Sequence, residues 1–151
     1  MKRKSLAMVM LAVGVSLVFA VAGLYAGTKA EDMIKMDGEY PHTKTIVEFS
    51  HKKHSADYKI GCGECHHDAE GKPLAALKEG DAVQACIECH KKPGEIKGKE
   101  AKDLQPAQKR EYHANAVHDN CIGCHKEFNK KNNTTSAPAS CNKCHPGKEK
   151  E

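Results

Sequence analysis

The sequence predicts a small, mostly irregular fold with short α-helices and a small N-terminal β-hairpin, wrapped around covalently attached groups instead of an apolar core. Three observations predict it. The pentapeptide Cys-x-x-Cys-His occurs four times, at 62–66, 86–90, 121–125 and 141–145, and these copies use all eight cysteines. Aromatic residues make up only 5% of the 151 and tryptophan is absent, so the chain has too little large apolar surface to build a core unaided. The copies are unevenly spaced, which points to a repeated attachment signal and not to a solenoid.

Cys-x-x-Cys-His is the attachment signature for c-type haem. The two thiols add across the haem vinyl groups, and the adjoining imidazole is held where it can ligate the iron. Two other uses of the cysteines compete. Four pairs could build two four-thiolate zinc sites, or they could be disulfides or redox dithiols in an exported protein. Neither explains a histidine after every second cysteine. The expected attachment residues are therefore Cys62, Cys65, Cys86, Cys89, Cys121, Cys124, Cys141 and Cys144, with His66, His90, His125 and His145 as proximal ligands. The chain reads as a small multihaem cytochrome with four covalently bound haems. Haem binding would then supply much of the folding free energy, and the apoprotein is expected to be largely unfolded.

The elements follow in order along the chain. Lys2, Arg3 and Lys4 precede a charge-free stretch from Leu6 to Ala26, the layout of a secretory signal. Residues 1–26 are read as a signal peptide, or as a membrane anchor if it is not cleaved, and 27–151 as the tetrahaem domain. Ile34–Met36 and Thr45–Val47 flank a turn-like stretch with Gly38 and Pro41 and read as the hairpin. Residues 49–54 read as a helical turn with Ser50 as cap, and Asp81 as the cap of a short helix over 82–85. The longest predicted helix covers Ala107–Val117, starting after Pro106. Residues 91–102 read as a surface loop and 132–140 as a flexible connector.

Charge is unevenly spread. Residues 27–151 carry 21 Lys+Arg against 20 Asp+Glu, and the propionates of four haems would take the holoprotein to about −3. Residues 121–151 nevertheless hold six lysines (126, 130, 131, 143, 148 and 150) against three acids. A lysine-rich face near the last motif is expected to dock an acidic partner. No nucleic-acid partner is expected, and membrane contact only through an uncleaved Leu6–Ala26.

A sixth ligand on each iron separates an electron carrier from an enzyme. Only Met33 and Met36 follow the signal region, so methionine cannot serve four irons, and lysine must first lose a proton. Six further histidines exist: His42, His51, His54, His67, His113 and His118. His51 and His54 are three apart on one turn and can reach neighbouring haems. His67 follows His66 directly and should serve a different haem. His118 ends the predicted helix, with His113 as a competing candidate, and His42 reads as a surface imidazole.

The order Phe49-Ser-His51-Lys-Lys-His54, then CxxCHH at 62–67, then Tyr112-His113 and His118-Asp119 ahead of the third motif, resembles the tetrahaem cytochrome c3 family of sulfate-reducing bacteria. The resemblance implies that His51 pairs with His66, His67 with His90, His54 with His125 and His118 with His145. It implies that Phe49 packs between the first and third haems. It further implies a periplasmic electron carrier in sulfate respiration, taking electrons from a hydrogenase and passing them to other redox proteins. As in the family, propionates near the Cys62 haem would couple proton uptake to reduction. Many family members have four residues between the cysteines of the second and fourth motifs; here all four are CxxCH. Two other classes compete with a soluble carrier: a multihaem reductase with one open iron, and a membrane-tethered subunit of a larger electron-transfer complex.

Overall fold

The computed structural model describes residues 31–147; the expected signal region, Lys148 and Lys150 lie outside them. Two short strands, β1 (Met33–Lys35) and β2 (Glu48–Ser50), pair antiparallel with Ile34 opposite Phe49. A β-branched residue facing an aromatic one is a favourable cross-strand pair. The hairpin is present, but its second strand lies later than the expected Thr45–Val47. Thr45 is engaged elsewhere: its Oγ1–H donates to the Pro146 carbonyl at 2.6 Å. A helical turn at 51–52 then widens into a π-type turn over Lys53–Asp57. Phe49 and Ser50 belong to β2, and no side chain caps the turn, so the expected Ser50 cap does not form.

Four α-helical segments follow: α1 (Cys86–Cys89), α2 (Pro106–Arg110), α3 (His113–Lys131) and α4 (Cys141–Cys144). The first motif is a 3-10 turn over Cys62–Glu64, the second and fourth are α1 and α4, and the third lies inside α3. In the three short turns the histidine N–H donates to the first cysteine's carbonyl, at 2.9, 2.9 and 2.7 Å. Closing the turn this way puts thiols three residues apart on one side. Asp81 starts no helix, because residues 82–85 are irregular. Its carboxylate accepts the Lys78 N–H at 2.8 Å instead, while Glu88 accepts the Ala85 N–H ahead of α1.

The predicted helix over 107–117 is divided between α2 and α3. The break falls at Tyr112, whose backbone is extended (ψ 125°) and bridges to Lys92. Lys92 N–H donates to the Glu111 carbonyl at 3.0 Å, and the Lys92 carbonyl accepts the His113 N–H at 2.8 Å. Gly94 accepts the Ala114 N–H at 3.0 Å, so loop carbonyls satisfy donors that a helix start leaves free. From there α3 runs on through the third motif, well past Val117, with Lys130 and Lys131 in its last turn, where cations suit the helix dipole.

Two asparagines on α3 bind neighbouring loops by both backbone groups of one residue. Asn115 accepts the Ile96 N–H at 2.8 Å and donates to the Ile96 carbonyl at 3.1 Å. Asn129 does the same for Ala137, at 3.0 and 2.8 Å. The segment 91–102 therefore docks on α3 and buries Ala101, and the connector 132–140 is tied down rather than free. Among the described residues only Gly38, Ala101, His113 and Ala116 are buried, and no side chain is fully enclosed. The polypeptide has almost no apolar core of its own, as its composition led us to expect. No helix among them is long and apolar enough to cross a membrane.

Candidate haem-binding site

The eight predicted ligand histidines come together as four pairs. Ring centres are 6.4 Å apart for His51 and His66, 5.9 Å for His67 and His90, 6.1 Å for His54 and His125, and 6.2 Å for His118 and His145. Two imidazoles on opposite sides of one metal ion, each bonded at about 2.0 Å, place their ring centres about 6 Å apart. The interplanar angles range from 27° to 85°, which such ligation permits because each ring can turn about its own metal–nitrogen bond. Among the described residues no three His, Cys, Asp or Glu side chains converge on one point. Pairs suit an iron whose other four ligands come from a porphyrin; a four-thiolate zinc site has no counterpart here.

Hydrogen bonds orient most of these rings. Nδ1 faces a backbone carbonyl in five of them: His54 to Ser50 at 2.9 Å, His67 to Asp68 at 2.7 Å, His90 to Arg110 at 2.5 Å, His125 to Pro138 at 2.6 Å and His145 to Thr45 at 2.6 Å. A carbonyl only accepts, so Nδ1 must carry the proton and Nε2 keeps its lone pair for a metal. His118 differs, with its Nδ1 3.6 Å from the Glu95 carboxylate. Glu95 is held below the ordinary carboxyl range chiefly by the hydrogen bond from Lys97, with His118 contributing less.

The elements explain who pairs with whom. His51 and His54 sit on one turn but join different partners, and Phe49 lies against both rings, 6.1 and 4.7 Å away. His118, Cys121, His125 and Phe128 recur at three- and four-residue intervals and share one face of α3. Adjacent His66 and His67 point to different partners, as neighbouring residues must. Burial, and then the nearby His51 and His67, push the His66 pKa down, which favours the neutral ring that a metal needs.

His113 and His118 take different places in the structure. Five residues along a helix turn a side chain by about 140°, so the two cannot face the same point. His118 faces His145, whereas His113 is buried with Nδ1 3.0 Å from the Tyr40 hydroxyl. Tyr40 stacks on His42, whose Nε2 is 3.0 Å from Asp37. Gly38 permits this arrangement, because a Cβ there would lie 2.1 Å from the Tyr40 ring. Sequence reasoning missed this cluster and every carbonyl partner above; a backbone acceptor leaves no residue-type signal.

No disulfide joins any of the eight cysteines, so the disulfide reading finds no pairing in the structure. Burial pushes the Cys121 thiol up to about 11, and raises Cys65, Cys86 and Cys144 as well. Reactive redox dithiols show the opposite shift.

CxxCH turns set beside paired imidazoles define a c-type cytochrome. Comparison with known proteins is specific: residues 27–145 match the class III cytochrome c family. A cytochrome c3 from Maridesulfovibrio salexigens is 32% identical over 119 residues, covering 79% of this chain and 95% of that protein. The chain belongs to the class III cytochrome c family. Membership gives it covalently bound c-type haem and the role of electron carrier.

Proposed function

We propose that this chain is a periplasmic, low-potential electron carrier with four c-type haems, one per CxxCH motif, each ligated by one histidine pair. The observation that carries the proposal is the set of four ring separations between 5.9 and 6.4 Å. Four motifs and four pairs match in number, and the pairs join each motif histidine to one outside the motifs. Bound haem supplies one-electron exchange between ferric and ferrous iron, at low potential when both axial ligands are imidazoles. The residues of this chain hold the rings in place: the carbonyls of Ser50, Asp68, Arg110, Pro138 and Thr45 fix five of them. Fixed ligands keep rearrangement on electron transfer small.

Export fits the basic start and charge-free Leu6–Ala26 stretch. The proposed partners are a periplasmic hydrogenase as donor and other redox proteins as acceptors, meeting a lysine-rich face around the fourth motif. Lys143 on that face is exposed and donates to the Thr135 carbonyl at 3.0 Å, which holds its charge beside α4.

Intact mass combined with a spectroscopic redox titration tests the proposal. The expected result is a mass increment of four haems and four one-electron steps, all at low potential. Fewer haems, or a step at the high potential of a methionine-ligated iron, would contradict it.

A further inference from the structure

Among the ligand histidines, His118 alone has its Nδ1 facing a carboxylate. Glu95 Oε1 lies 3.6 Å away, beyond a direct hydrogen bond and within ion-pair distance, with both side chains partly exposed. The placement is built by three groups. Asn115, one turn before His118 on the same face of α3, binds both backbone groups of Ile96, which fixes the residue next to Glu95. Lys97 donates to the other carboxylate oxygen, Oε2, at 2.8 Å and sets its direction. Across the pair, His145 donates to the Thr45 carbonyl, so the two rings of this couple have unlike partners.

We infer that Glu95 is a positioning residue that selectively lowers the reduction potential of the haem held by His118 and His145. A negative charge beside an axial imidazole raises the ligand's basicity and favours the more positive, ferric iron. The neutral carbonyls behind five of the other rings do this less. Lys97 opposes the effect by partly neutralising the carboxylate, which makes the Glu95–Lys97 pair a fine adjustment of one potential among four. The inference rests on the proposed ligation of one iron by His118 and His145.

The test uses the haem-loaded protein, with each haem assigned by NMR through its axial ring protons, and wild type, Glu95→Gln and Lys97→Gln titrated side by side. Glu95→Gln keeps size and an acceptor for Lys97. It should favour reduction of the His118/His145 haem about tenfold, about 59 mV for one electron, with smaller changes elsewhere. Lys97→Gln should move the same haem in the opposite direction. Simple loosening of the loop would move both variants the same way. An unchanged or lowered potential for that haem in Glu95→Gln, or an equal shift at all four, overturns the inference. A high-spin iron at this site in the wild type would instead overturn the ligation reading on which it rests.

Discussion

His145 donates its Nδ1–H to the carbonyl of Thr45 at 2.6 Å, joining the last motif to the loop between β1 and β2 across 100 residues of chain. Thr45 returns the contact through its hydroxyl, which donates to the Pro146 carbonyl at 2.6 Å. One residue thus orients a proposed iron ligand and fastens the segment that carries it. Thr45→Val keeps the shape and removes only the hydroxyl bond. It should cost about 1 kcal/mol and speed amide hydrogen exchange at 141–147, leaving β1 and β2 unchanged. Exchange that stays at the wild-type rate would show that the hydroxyl does not fasten this end.

Asn129 plays the corresponding part for the connector. Its side chain satisfies both the N–H and the carbonyl of Ala137, and the next residue, Pro138, supplies the acceptor for His125. Asn129→Ala should destabilise the protein by about 2 kcal/mol and open 132–140 to limited proteolysis. Cleavage no faster than in wild type would mean the connector is held by something else.

The cluster around His113 predicts a pH dependence. Burial, followed by the nearby His90 and His42, lowers the His113 pKa from 6.5. Its surroundings are the Tyr40 hydroxyl, with His42 stacked on Tyr40 and Asp37 beside His42. A histidine lowered in the folded state binds protons more readily when unfolded. Its stabilising contribution is therefore present above 6.5 and declines as pH falls through that value towards the lower folded pKa. Thermal unfolding of the holoprotein should show this loss, and His113→Gln should flatten it. An identical pH profile in the variant would remove His113 as the cause.

Charge reversal addresses the docking face. Changing Lys143 and Lys148 to Glu should slow reduction by an acidic hydrogenase about tenfold at low ionic strength, with the difference shrinking as salt is added. Equal rates at low salt would exclude these two lysines as main docking charges.

Much of the site was legible because covalent chemistry leaves fixed signatures. Cys-x-x-Cys-His marks its own function, and the supply of histidines against methionines limited the axial ligands. That His67 serves a different haem from His66 followed from the divergence of adjacent side chains, whereas its pairing with His90 was legible only through the family resemblance. What escaped the sequence depends on backbone groups brought from far away. Nothing in Thr45 announces a bond to His145. The break at Tyr112 arises because Lys92 bridges to it, a contact without a local pattern. Loops 91–102 and 132–140 looked free by composition, yet Asn115 and Asn129 bind them, and an asparagine within a helix gives no hint of which loop it will meet. The strand at 48–50 displaced the expected helical turn because Phe49 faces Ile34, a tertiary pairing that local propensity does not contain.

The central claim is that four histidine pairs saturate four irons, and low-temperature EPR of the oxidised, haem-loaded protein tests it most directly. The account predicts only low-spin ferric signals, integrating to four irons per chain. A stoichiometric high-spin signal would contradict it, because one iron would then lack its second imidazole.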